Sequence, residues 1–155
     1  MAEYRIRVAK DKADLVKGLI TSTQTTGPFQ TYADAIAFAA ILGAQRQKRI
    51  PLGEIARKEP APISIDIFIS RGYDLALKLL AIAENNSLEV LVTTEEETKE
   101  KSYRIFEEYA NGGLEILREE LRGAIDYSER ILLLLMSTKF EKETDLDDFD
   151  LSKLL

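Results

Sequence analysis

Apolar and polar residues first alternate with a period of two. In "YRIRV", 4–8, Tyr4, Ile6 and Val8 fall on one side and Arg5 and Arg7 on the other, which predicts a half-buried strand with a cationic face. The period then lengthens. "KDKADLVKGLIT", 10–21, reads as a helix with Leu15, Leu19 and Ile20 inward, and the Thr-rich "TSTQTTGPFQ", 21–30, as a loop with a Gly-Pro breaker. Thr31 is placed to cap a helix running to about Gln47, with Asp34 in its first turn, where a carboxylate favours the helix dipole. In this helix Ile36, Ala39, Ala40 and Gly43 form one stripe, and Ala35, Phe38, Ile41 and Leu42 fill others. A helix apolar on nearly every side is buried on nearly every side, so it is expected either between later helices or against a copy of the chain. A homo-oligomer joined through the N-terminal half is the expectation.

"KEPAPI", 58–63, is the clearest punctuation and the expected boundary. "ISIDIFISR" alternates like a strand but leads into the helical "GYDLALKLLAIAENN", which tilts it towards a short helix; "SLEVLVTT" is ambiguous. "TTEEETKEKSYRIFEEYANGG" predicts a helix capped by Thr93 or Thr94, with Tyr103, Phe106 and Ala110 on one stripe and Asn111-Gly112-Gly113 ending or sharply bending it. "LEILREELRG" repeats the pattern with Leu114, Leu117 and Leu121, and "AIDYSERILLLLM" predicts a buried final helix. Past Lys139 an acidic tail follows, expected to fray, although Leu146, Phe149, Leu151, Leu154 and Leu155 also suit a docking segment. The expected fold class is mainly α, a multi-helix domain with a short N-terminal β-strand. Its expected divisions are a basic strand-helix-helix segment, 1–58, an acidic helical segment packed on it, 59–138, and the tail, 139–155.

Composition then removes whole classes of chemistry. With no Cys and no His, disulfides, thiolate zinc sites, Cys nucleophiles and His-based triads are excluded. The N-terminus lacks the apolar core of a secretory signal, and "ILLLLM", 131–136, is far shorter than the roughly 20 residues of a membrane span. A cytoplasmic location, no membrane contact and no cofactor are therefore expected. The net charge of −6 conceals an asymmetry: residues 1–58 hold ten Lys and Arg against five Asp and Glu, and 59–155 hold eleven against twenty-two. A half at +5 beside a half at −11 points either to a polyanion or to attraction between the halves.

A strand bearing arginines followed by two helices is the order of a ribbon-helix-helix DNA binder, so the N-terminal third has a ribbon-helix-helix-like reading. In that mode Arg5 and Arg7 face base edges, Lys10 adds charge, and Gln30, Thr31 and Tyr32 lie where a helix start anchors phosphate. With equal weight, "YRIRV" is an edge strand whose arginines blunt its exposed face. Arg46, Lys48 and Arg49 form a secondary basic patch. They lie at the far end of the predicted helix, where cations complement the dipole without any ligand. Glu95, Glu96 and Glu97 read as a solvated helix start rather than a metal site, since consecutive helical residues do not face each other. No catalytic residue is nominated.

Four stretches in order, "YRIRVAKDK", "GPFQTYADAIAFAAILGAQR", "RIPLGEIARKEPAPI" and "IFEEYANGGLEILREELRG", resemble the family of DNA phosphorothioation-associated protein four, also called Dnd system-associated protein four. The likeness spans residues 4 to about 135. It implies an accessory role beside enzymes that replace a non-bridging phosphate oxygen of DNA with sulfur, or that use this mark to restrict unmarked DNA. It brings no established catalytic residues. "TYADAIAFAAILGA" also resembles, more loosely, the small helical DNA-binding component of the same systems. Two functions follow as expectations: an accessory protein contacting DNA through its basic half, or a protein–protein adaptor that holds a basic partner with its acidic half.

Overall fold

The computed structural model describes residues 4–85 and 96–147. Its strands are β1 (Arg5–Ile6) and β2 (Ile63–Ser64), and its helices are α1 (Ala13–Gly18), α2 (Tyr32–Gln45), α3 (Ile65–Ser70), α4 (Asp74–Asn85), α5 (Glu96–Glu120) and α6 (Tyr127–Asp147). A 3-10 turn, Lys10–Lys12, leads into α1. The mainly helical fold with a short N-terminal strand is therefore the observed class. "SLEVLVTT" and the caps expected at Thr93 or Thr94 lie outside the described residues, as does the tail beyond Asp147.

The long helix α5 passes straight through Asn111-Gly112-Gly113, where the sequence predicted an end or a bend. The reason lies on its neighbour α2. A Cβ on Gly113 would stand 1.7 Å from the Ala39 carbonyl oxygen, one on Gly112 1.8 Å from the Lys48 oxygen, and one on Gly43 2.1 Å from the Tyr109 oxygen. Backbones this close, of α2 at Gly113 and Gly43 and of the segment just past α2 at Gly112, leave no room for a side chain at those points. The glycines lower intrinsic helix stability but permit the contact, and the packing gained along both helices outweighs that cost.

This crossing accounts for the apolar run of α2. Ala33, Ala35, Ile36, Ala37, Ala39, Ala40, Leu42 and Gly43 are all buried, chiefly by α5, with α1, α3 and α4 contributing. Its burial is thus supplied within one chain. Phe68 of α3 meets Phe106 of α5 edge to face, ring centroids 5.5 Å apart, deep in the same core as Ile6, Val16 and Leu19.

"ISIDIFISR" is both things its pattern suggested. Ile63 and Ser64 pair with Ile6 and Arg5 as β2, and Ser64 then caps α3 by accepting from the Asp66 amide at 3.3 Å. The strand expected over 4–8 is regular only at Arg5–Ile6, but its pairing edge extends further: Val8 accepts from Ala56 and Lys10 donates to Glu54, each at 2.8 Å. A return segment of the same chain therefore occupies the edge that a ribbon would offer to a second copy.

Two helices end alike by different residues. Both α2 and α3 close with a paired 6→1 and 5→2 hydrogen-bond motif, in which the amide two residues past the C-cap reaches back to Gly43 or Phe68. The left-handed position in α3 is Gly72, φ 91°, whereas in α2 it is Gln47, φ 53°. The final helix departs from expectation too. Ile131 is buried, but Leu132, Leu133, Leu135 and Met136 are about half exposed, because α6 has one neighbouring surface and apolar residues on more sides than that surface covers.

Replacing Gly113 with Ala is expected to lower stability by about 3 kcal/mol or more, since neither opposing backbone can yield, while Gly53→Ala, which meets nothing within 4 Å, serves as the neutral control. Gln47→Gly is expected to raise stability by about 1 kcal/mol by relieving a left-handed non-glycine residue. Urea melts of the three variants check both.

Candidate functional site

The residues nominated from sequence fall in three places: on and just after β1, at the start of α2 and past its far end. Arg7, just past β1 and half-buried, is tied to α5. Its Nε and terminal nitrogen donate to the two carboxylate oxygens of Glu107 at 3.0 and 2.7 Å, and its backbone amide donates to the same group at 2.8 Å. Arg104 adds a fourth bond at 2.8 Å. Glu107 is 1% exposed, so a buried carboxylate is neutralised by two guanidiniums, and the bidentate bonds with Glu107 hold Arg7 charged beyond its ordinary range. Arg5 is exposed and reaches the Pro62 carbonyl at 3.4 Å, and Lys10 is exposed and paired with Glu54 at 3.2 Å.

The second set is at the start of α2. Gln30 is exposed. Thr31 caps the helix, accepting from the Asp34 amide at 3.2 Å, and the Tyr32 hydroxyl donates to Glu59 at 3.0 Å. Asp34 itself takes two bonds from Arg71, 2.8 and 2.6 Å, and one from Tyr73 at 2.6 Å. Arg71 above all, then Tyr73 and Thr31, holds its carboxyl down at about 2. A carboxylate thus already occupies the cationic end of α2 where phosphate was expected.

The patch at the other end of α2 divides. Arg49 is clamped between Glu84 at 2.6 Å and Glu108 at 2.7 Å, and Tyr109 donates to Glu84 as well. Glu84 is lowered by the Tyr109 hydroxyl and by Arg49. Arg46 sits at the C-cap of α2 and is exposed; Lys48 is half-buried and follows the left-handed residue.

Sequence reasoning missed a third polar cluster. Lys12, 3% exposed, sends its ammonium to Asn111 and Glu115, both at 3.2 Å, and to Asp11 at 3.5 Å. Arg118 also reaches Glu115, at 2.6 Å, and Asn111 donates to the Ile50 and Pro51 carbonyls at 3.2 and 3.4 Å. Asp11, Lys12, Asn111 and Glu115 border a cavity of about 470 Å³. The signal was available: Lys12 lies four residues before Val16 and seven before Leu19, and Glu107 lies four after Tyr103 and seven before Leu114. A charge at helical spacing on an apolar stripe predicts an internal ion pair.

Two outcomes test these assignments. Arg7→Ala is expected to cost about 2–3 kcal/mol in urea melts, below the roughly 3–5 of a wholly buried pair because Arg104 remains. Because Asp34 is depressed, its contribution is full above its unfolded value near 3.8 and is lost as pH falls towards about 2. Melts from pH 5 to pH 2 should show Arg71→Gln less stable at the upper end and level with the parent at the lower.

No curated protein and no solved structure matches the chain. A family model described as DNA sulphur modification system-associated protein 4 matches residues 5–154 of the 155, the acidic tail included. The chain belongs to that family, whose members are associated with a DNA sulphur modification system.

Proposed function

We propose that this protein is a non-catalytic, cytoplasmic adaptor that binds protein components of a DNA sulphur modification or restriction system and does not depend on contacting DNA itself. The observation that carries this reading is the fate of the basic half. Arg7, Lys12 and Arg49, from residues 1–58, pair with Glu107, Glu115, Glu84 and Glu108, from residues 59–155. The positive charge that suggested a polyanion neutralises the acidic half of the same chain, and long-range repulsion at a net −6 opposes DNA approach. A non-catalytic role agrees with the two best-placed carboxylates. Glu107 is buried between guanidiniums, and Asp34, held at about 2, stays ionised far below the range of a neutral-pH acid or base. Among the described residues, no helix is long and apolar enough to cross a membrane.

Direct DNA binding is the second reading, favoured by one observation. Arg46, Arg57 and Lys58 are exposed and Lys48 partly so, all four without ion-pair partners among the described residues, and Arg5 and Lys10 are exposed on or beside β1. A homo-oligomer through the N-terminal half loses the argument from α2, whose burial is intramolecular.

Duplex DNA titrated at several salt concentrations separates the readings. The adaptor reading expects no binding at low salt and a complex on co-expression with the system's other proteins. Binding with a steep salt slope, flattened by Arg5→Ala/Lys10→Ala or by Arg46→Ala/Lys48→Ala, together with no such complex, would overturn it. Arg7 is left intact because its loss would destabilise the fold.

A further inference from the structure

The second half of the molecule carries an apolar surface that the fold does not use. Ile125, in the turn between α5 and α6, is 96% exposed, and Leu132, Leu133 and Met136 on α6 are 56%, 53% and 57% exposed. Positions 129, 132, 133 and 136 share the face of α6 opposite buried Ile131, so these side chains form one surface. Beside it a cavity of about 250 Å³ is lined by Gly123, Ile125, Asp126, Glu129, Arg130 and Leu133 among others. Apolar contact area and a recess to receive a side chain are together here.

Charge says what fits. Asp126 and Glu129 line the cavity beside this surface and make no ion pair among the described residues. The Asp126 carboxylate accepts only the Glu129 amide among the described residues, at 3.1 Å, as the cap of α6. Against these two carboxylates stands Arg130, whose guanidinium donates to the Glu120 carbonyl at 3.3 Å and closes the end of α5. Glu119 and Arg122 cancel each other at 3.0 Å. Two carboxylates without an ion pair beside exposed apolar side chains suit a partner that brings positive charge.

We propose that the α5–α6 turn and the outer face of α6 dock a cationic amphipathic segment of a partner protein, its apolar residues on Ile125, Leu132, Leu133 and Met136 and its Lys or Arg on Asp126 and Glu129. This rests on the adaptor reading and names the surface it would use. Helix-on-helix recognition of this kind reads apolar anchors at i, i+3, i+4 and i+7, and free carboxylates on the rim select a basic partner over an acidic one.

The probe is a fluorescein-labelled helical peptide of Leu and Lys at heptad spacing, titrated with the full chain and followed by anisotropy, beside a Leu/Glu peptide of identical pattern. The Leu/Lys peptide should bind and the Leu/Glu peptide should not. Leu132→Ser/Met136→Ser, which removes exposed side chains only, and Glu129→Lys should each weaken binding about tenfold or more, whereas Leu79→Ser on α4, 54% exposed in the parent, should not. Circular dichroism confirms that each variant is folded. Equal binding by the Leu132→Ser/Met136→Ser variant, no binding of the Leu/Lys peptide, or a dimer in sedimentation that the same double variant abolishes would each overturn the proposal. Co-expression with the system's proteins keeps the two claims apart. A complex that survives the double variant sinks this surface and leaves the adaptor reading standing, whereas no complex with the parent chain sinks that reading.

Discussion

The approach of α2 to α5 is the constraint on which the other contacts depend. Gly43 and Gly113 let the two helix backbones touch and Gly112 admits the carbonyl of Lys48 just past α2, an opposing carbonyl oxygen standing in each case where a Cβ would be. With that contact made, the C-terminal end of α2 is held over α5, so Ile50 can donate to the Glu108 carbonyl at 3.1 Å and Arg49 can reach the Glu108 carboxylate. The same placement brings the N-terminal strand alongside α5, where Glu107 waits for Arg7. Packing at this density fixes distances to within a few tenths of an ångström, which is why ion pairs on either side of it can be bidentate.

Electrostatics then follows the packing. A chain with +5 in its first 58 residues and −11 in the rest uses much of that contrast to hold itself together. Glu107 illustrates the balance: burying one carboxylate costs several kcal/mol, and three guanidinium and one backbone N–H bonds offset it. The surplus of acid that remains is concentrated towards the C-terminal half, and its place beside uncovered leucines on α6 gives the molecule a surface with a direction, apolar at the centre and acidic at the rim.

Much of the site was written in local pattern, and what was missed was not local. "YRIRV" announced a strand with arginines on one side, and Thr31 with Asp34 announced the start of α2, both of which depend only on neighbouring residues. What those arginines do depends on Glu107, 100 residues away, and on Ile63–Ser64, which pair with β1 across the whole of α2. The glycine pair in α5 was misjudged for the same reason. In isolation Asn-Gly-Gly favours a helix end, and only the carbonyls of Ala39 and Lys48 make glycine the residue that a continuing helix needs.

By itself the sequence determined the helical class, the positions of most helices, the exclusion of Cys and His chemistry and the likeness to its family, because periodicity, composition and ordered motifs are properties of the chain alone. Tertiary structure decided which charges are spent and which are free. Arg7 and Arg49, nominated as contacts for DNA, are paired with Glu107, Glu84 and Glu108 of the same chain, and four apolar residues of α6 expected in the core lie at the surface. The physical reason is the same in each case: burial and pairing are properties of two segments at once, and their distance in space is set by packing that no single stretch encodes.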